Sequence, residues 1–450
     1  MNIIIIGCGR VGRTLAEKLN DDGNNVTVID MSAEKVDRVI KRCDVMGVVG
    51  NGATYTVQRE AGIDTADLLI AVTNSDELNL LCCVIAQKEG NCKTVARVKN
   101  PEYSADSLYL KEELDLAMVI NPEYESAEEI ARVLRFPSAL KIEPFAKGKV
   151  ELIKFKLQKD SPAIGVSVKD LVMKHHLDVL ICTIERGDEA YIANGDFVFA
   201  EKDVVSIVAS PKKANEFFKK LHSKGHSVKD AIIVGGGVIT HYLCEILSRS
   251  GIHLKVIAKD KKACEEIAEG WDNVVVIHGD ATDHDLLLEE GISGAGAFVA
   301  LSDLDEENIL LSMFAKSEGC GKLVTKINRI DYESVVNQLE LDTTICPRAV
   351  TADTILRQVR AMKNTRGSNV ETLYNLIPGK VEASEFVVRD ESPVVNVPLS
   401  ELKFKGKVLI ASIMRGDEVI VPRGQDEIKV GDSVVVVSSF PLHDIADILK

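Results

Sequence analysis

The chain repeats itself. Ile232-Ile233-Val234-Gly235-Gly236-Gly237 matches Ile4-Ile5-Ile6-Gly7-Cys8-Gly9 at an offset of 228 positions, and Val256-Ile257 matches Val28-Ile29 at the same offset. Gly279-Asp280-Ala281-Thr282 falls on Asn51-Gly52-Ala53-Thr54, and Lys326 falls on Arg97. Ser302-Asp303-Leu304-Asp305 falls on Thr73-Asn74-Ser75-Asp76 with one residue inserted. Further on, Met414-Arg415-Gly416-Asp417-Glu418 answers Glu185-Arg186-Gly187-Asp188-Glu189, and Ser392-Pro393 answers Ser161-Pro162. Length alone suggests about three domains. The repeat replaces that with a tandem duplication of a two-domain unit, hence four domains.

The repeated unit opens on an apolar, β-branched run, Ile3 to Ile6, that reads as a buried parallel strand. It runs into Gly7-Cys8-Gly9-Arg10-Val11-Gly12, after which Val11, Leu15, Ala16 and Leu19 recur at helical spacing. A second strand, Val26 to Ile29, ends on Asp30. Strand, G-x-G-x-x-G, helix, strand and acid thus sit in one βαβ unit. Gly7 permits the tight turn, Gly9 lets backbone approach a pyrophosphate, and Gly12 lets the helix pack on the strand. The helix N-terminus presents unpaired N–H groups to phosphate, and Asp30 stands where a carboxylate accepts ribose hydroxyls. An acid there disfavours a 2′-phosphate, which points to NAD(H) rather than NADP(H).

Strand and helix keep alternating to about Leu134, which predicts a parallel sheet with helices on both faces. The predicted helices include Ala33 to Arg42, capped by Ser32, and Tyr103 to Glu113. The third strand is predicted over Val45 to Val49. Gly7, Asp30, Asn51, Thr73 and Arg97 all fall at carboxyl ends of predicted strands, where such sheets bind ligands. The pattern changes at Phe136-Pro137. Short strands with turns run from Val150 to Ser210, and a helix follows to about His222, as in a small α+β domain. Ser223 to Ser227 reads as a polar linker. The predicted domains are 1–135, 136–222, 228–360 and 370–450: a Rossmann-like domain and a small α+β domain, each present twice.

The copies differ where chemistry would be. Thr240 replaces Gly12 and Ala258 replaces Asp30. Gly235 and Gly237 keep a phosphate cradle, but the ribose-diol contact is lost from its usual place. The second site is therefore empty, tuned to another nucleotide, or a structural copy.

A net charge of −15 argues against nucleic acid as a partner. No apolar run reaches membrane-spanning length, and a core strand at the N-terminus leaves no room for a signal peptide. Ten cysteines without C-x-x-C pairs read as reduced thiols in a cytoplasm. His278 to Asp285 holds two His and three Asp, a metal-like density. The simpler reading is helix capping by Asp and Thr, and no metal site is assigned. His175-His176 is adjacent, so the rings diverge on a helix. Asp303, Asp305, Glu306 and Glu307 read as an exposed helix start.

At this point the motifs have a precedent. Gly7 to Gly12, Asp30, Gly50-Asn51-Gly52-Ala53-Thr54, Ala71-Val72-Thr73-Asn74-Ser75-Asp76-Glu77, Asn79 and Ala96-Arg97 resemble the RCK, or KTN, regulatory domains of potassium channels and transporters. The duplication resembles the TrkA-type regulatory subunits of Trk potassium uptake. The resemblance implies a cytoplasmic protein, peripheral on the inner face of the membrane. It would dock as a homo-oligomeric, tetrameric ring under a Trk-type potassium-translocating membrane subunit. It implies pyrophosphate at Gly7, Cys8, Gly9, Arg10 and Val11, with Gly12 completing the loop. It implies ribose at Asp30, a pocket lined by Asn51, Gly52, Thr73 and Asn74, and phosphate at Arg97. In the second copy Gly235, Gly236, Gly237, Val238, Asp280 and Lys326 would correspond, with ATP or ADP as the candidate ligand. No catalytic residue is implied. A dehydrogenase would share the cofactor half, yet neither small domain shows a His–carboxylate or Lys–Tyr arrangement. A soluble nucleotide sensor with a non-transport partner would share every motif.

Overall fold

A computed structural model describes the chain except at residues 91, 102, 104–106, 137–138, 158, 160, 188, 222–227, 249, 329–338, 340, 365–369, 378–379 and 390–391. The predicted linker at 223–227, Pro137, Asp188, His222 and part of the helix predicted from Tyr103 therefore lie outside the described residues.

The first sheet contains β1 (Asn2–Ile6), β2 (Asn25–Asp30), β3 (Met46–Val49), β4 (Leu68–Ala71), β5 (Lys93–Arg97) and β6 (Met118–Ile120). The order is β3-β2-β1-β4-β5-β6 and every pairing is parallel. Ile3 to Ile6 and Leu68 to Ala71 are buried throughout because both faces of the sheet are covered. Strand order reverses between β1 and β4, which opens a crevice at their carboxyl ends. The helix capped by Ser32 ends at Ile40.

The next sheet is antiparallel. Its strands are β7 (Ala139–Phe145), β8 (Val150–Lys156), β9 (Leu180–Arg186), β10 (Glu189–Ile192) and β11 (Val204–Ala209), in the order β10-β9-β11-β8-β7. It thus begins one strand earlier than the pattern at Val150 indicates. Lys141 and Glu143 interrupt the apolar alternation of that strand. Arg186 grips the buried Asp203 through Nε and Nη2, both at 2.8 Å, which explains the charged turns.

The second copy repeats both sheets. β12 (Asp230–Val234), β13 (His253–Ala258), β14 (Val274–His278), β15 (Ala297–Ala300), β16 (Lys322–Lys326) and β17 (Thr343–Ile345) run β14-β13-β12-β15-β16-β17. β18 (Val370–Ile377), β19 (Val381–Val387), β20 (Val408–Arg415), β21 (Glu418–Ile420) and β22 (Ser433–Ser438) run β18-β19-β22-β20-β21. Arg415 holds Asp432 as Arg186 holds Asp203.

The chain packs as two units, Met1–Ala131 with Lys229–Leu356 and Arg132–Val228 with Arg357–Lys450. Like domains therefore pair with each other. In the first unit, Asn121 follows β6 and donates from Nδ2 to the Tyr242 hydroxyl at 2.9 Å. Tyr124 meets the Tyr242 ring edge-on, with centroids 5.3 Å apart, and Lys18 pairs with Asp353. In the second unit, both small sheets share one apolar core, in which Phe145, Leu152 and Val208 meet Tyr374, Ala383 and Val437.

Candidate functional site

The first glycine loop is set by steric limits. Gly7 has φ +105°, and a Cβ on Gly12 would lie 1.8 Å from the Gly7 carbonyl oxygen. Gly9 precedes a twelve-residue helix, Arg10–Asp21, with no side-chain cap, so its first N–H groups face outward. Asp30 closes the other wall. Its Oδ2 accepts the Cys8 N–H at 2.8 Å and its Oδ1 accepts the Ser32 N–H at 2.9 Å. Each oxygen keeps a further lone pair for a ribose hydroxyl. Cys8 itself is buried. Burial, then the Asp30 charge, pushes its thiol up to about 12, so it stays protonated.

These groups bound a cleft of about 250 Å³, lined by Gly7, Gly9, Asp30, Asn51, Thr73 and Asn74 among others. Gly52 lines it too, and Met31 and Leu78 supply apolar walls that the motif reading did not pick out. The strand ends behind it are pinned by Asn79, which is fully buried. Its Oδ1 accepts from Thr73 N and Oγ1, and its Nδ2 donates to the Arg97 carbonyl at 2.8 Å. Arg97 is nearly buried and pairs through Nη2 with Glu123 at 3.3 Å. Glu123 opens the helix Pro122–Arg135, whose next residue, Tyr124, touches the second copy.

The second copy keeps the loop and changes its surroundings. Thr240, at the Gly12 position, is buried and donates its hydroxyl to the Gly235 carbonyl at 2.6 Å. The helix thus clasps the loop through a side chain where the first copy uses bare contact. Gly236 faces Ala258 and Ala263, where its counterpart Cys8 faces Asp30. Lys259, one residue beyond Ala258, pairs with Asp280 at 3.1 Å and Glu307 at 3.3 Å. Their first-copy counterparts are Met31, Gly52 and Leu78, all of which line the first-copy cleft. An ion triad therefore stands where the first copy has open, largely apolar walls. Asp280 also accepts from Thr282, and Asp283 caps the helix His284–Glu289. Asp305 corrects the sequence reading. It is 2 % exposed and accepts the Asn328 N–H, as buried Asp76 accepts those of Lys99 and Asn100. The acid run thus includes a structural clamp, because the residue after a strand-end turn points back under the sheet.

Both glycine loops face one cavity of about 680 Å³ between the copies. Gly9, Arg10, Val11 and Arg97 line it from one side, and Gly237, Val238, Lys326 and Arg348 from the other. Gly9 and Asn74 line both this cavity and the first-copy cleft, so the two spaces meet. Gly235, Gly236 and Asp280 are not among its lining residues. Cys8 and Gly12 stand behind the first loop as supports. Arg348 escaped the motif reading. Its only sequence signal is that Pro347-Arg348 repeats the position of Pro122-Glu123 with the charge reversed.

Comparison with known proteins is consistent along the chain. The TrkA-N domain family matches residues 3–122 and again 231–347, and the TrkA-C domain family matches 152–222 and 383–442. The Trk system potassium uptake protein TrkA homolog 1 of Methanosarcina mazei is 32% identical, with 97% of each chain covered. The Trk system potassium uptake protein TrkA of Halomonas elongata is 32% identical, covering 97% of this chain and 95% of its own. Among solved structures, the GsuK RCK domain superposes with a TM-score of 0.64 at 15% identity, covering 97% of this chain and 92% of that one. The GsuK channel bound to NAD gives a TM-score of 0.64 at 16% identity over 97% of this chain and 76% of that one. At these identities the superpositions speak for the fold.

Proposed function

The chain belongs to the TrkA family, and from that premise we propose that it is a nucleotide-binding regulatory subunit that gates a potassium-translocating membrane subunit in response to NAD(H). The observation that carries the nucleotide is Asp30, anchored by two backbone N–H groups at the wall of a cleft that opens past Gly9. Adenosine fits the cleft with its ribose on Asp30, and the pyrophosphate fits the loop at Gly9 to Val11. A second negative charge at the ribose would oppose Asp30, so NADH binds and NADPH does not.

Conversion of binding into movement runs through Arg97. A pyrophosphate beside Arg97 competes with Glu123 for its guanidinium, and Glu123 heads the helix that touches Tyr242 of the second copy. A ligand shifts such an equilibrium only through different affinity for its states, typically worth about 1–3 kcal/mol. The family relationship supports assembly as a homo-oligomeric ring on the inner face of the membrane beneath a Trk-type partner. No helix among the described residues is long and apolar enough to cross a membrane. In the second copy, Gly237, Val238 and Lys326 offer phosphate contacts, while the Lys259 triad occupies the adenosine side.

The test is titration calorimetry together with flux in a reconstituted transporter. NADH binds more tightly than NADPH, Asp30→Ala weakens NADH, and Arg97→Ala lowers regulation at saturating NADH more than it lowers affinity. Tighter NADPH binding, or enzyme-like oxidation of NADH by carbonyl acceptors, overturns the reading.

A further inference from the structure

The charges facing the shared cavity are not symmetric between the copies. In the first, Arg97 is answered by Glu123 at 3.3 Å. In the second, the corresponding positions hold Lys326 and Arg348, so the acid has become a base. Lys326, 9% exposed, reaches Asp303 at 3.3 Å, and Asp303 is itself fully exposed. Among the described residues Arg348 makes no hydrogen bond or ion pair, although the Asp305 carboxylate stands near enough to favour its charge. Its Nη2 is buried without a hydrogen bond, and among the described residues neither Arg348 nor Arg10 has an ion-pair partner. Burial, and then the charge of Arg10 from the first copy, hold the Arg348 guanidinium below its usual range, against an opposing pull from Cys346 and Asp305. Arg10 from the first copy and Arg348 from the second thus face one shared cleft without an ion pair of their own, an arrangement that favours an anion between them.

The geometry says where that anion comes from. The first-copy cleft meets the cavity at Gly9 and Asn74. A nucleotide with its adenosine in the cleft therefore directs its distal end between the copies. We propose that Arg348 reads the charge on that distal end, taking the terminal phosphate of a nucleoside diphosphate or triphosphate seated in the first copy. NADH puts a neutral dihydronicotinamide riboside in the same space and offers Arg348 no terminal anion. The second copy thereby acts as a specificity element for the first copy's ligand, and it rests on the first copy holding the nucleotide.

The experiment titrates the full chain calorimetrically with ADP, NADH and inorganic phosphate, as wild type, Arg348→Gln, Arg348→Lys and Asp30→Ala. Arg348→Gln weakens ADP about tenfold, the scale of one lost charge-assisted hydrogen bond, and leaves NADH within about threefold. Arg348→Lys, which keeps the charge, restores most of the ADP affinity and controls for misfolding. Equal loss for both ligands, or no loss of ADP affinity, overturns the role of Arg348. So does phosphate binding that depends on Arg348 and persists with NADH bound, because the anion is then free phosphate. Asp30→Ala separates the two levels: if it leaves both nucleotides unchanged, the first-copy site itself is wrong, whatever Arg348 does.

Discussion

Gly12 and Cys8 show how tightly single residues constrain the first loop. A Cβ at Gly12 would stand 1.8 Å from a backbone oxygen, and that oxygen cannot move without opening the turn at Gly7. Gly12→Ala should therefore cost about 1–3 kcal/mol in urea unfolding, the range for forced overpacking, and abolish NADH binding. An unaltered midpoint would mean that the helix shifts freely. Cys8 makes a pH statement. Burial raises its thiol to about 12, and Cys82 and Cys244 likewise. The folded state favours the protonated thiol. This contribution is complete below the unfolded thiol range, near 9, and is lost as pH climbs from there toward 12. Denaturation midpoints should fall across that window, and alkylation of Cys8 in the folded protein should be slow at pH 8. Rapid alkylation there would contradict its burial.

At the scale of elements, the copies share a scaffold and differ in what the strand ends carry. Asn79 and its counterpart Asn308 make the same clamp, each bonding the turn after one strand and the last carbonyl of the next. The clamp is common to both copies, while the walls around it are not. The Lys259 triad is half exposed at Lys259 and Asp280, so its net strength is small. Its effect is to fill space and place charge where an adenine would stack. The chain should bind one NADH, measured as calorimetric stoichiometry. The combined substitution Ala258→Asp, Lys259→Met, Asp280→Gly and Glu307→Leu should raise it to two. A wild-type stoichiometry of two would show that the triad yields to the ligand.

Across the whole chain, duplication has been used to pair like with like. Asn121 and Tyr124 join the Rossmann-like copies through one tyrosine, Tyr242, and the small sheets close over a common core. Phe145 lies in that core at 1% exposure, against the Tyr374 ring. Phe145→Ala should cost about 3–5 kcal/mol, read from urea unfolding, and should loosen both small sheets together because neither has its own lining there. A loss below about 1 kcal/mol would mean that the cavity collapses without cost.

The glycine loop, the strand-end acid and the duplication were legible in the residue order. Each is written in local spacing: a glycine where the backbone needs one, an apolar run where a strand is covered on both faces, and a repeat at fixed offset. The Asn79 clamp was half legible, since the residue stands in the motif but its hydrogen bonds join two strand ends. Asp305 was misread because four acids in a short run look solvated until the turn directs one of them under the sheet. The meeting of Arg10 with Arg348 had no local trace. It depends on how two copies of a fold are set against each other. That is decided by side chains such as Tyr124 and Tyr242 packing across the pair, a choice made by tertiary contact and not by the periodicity of either copy.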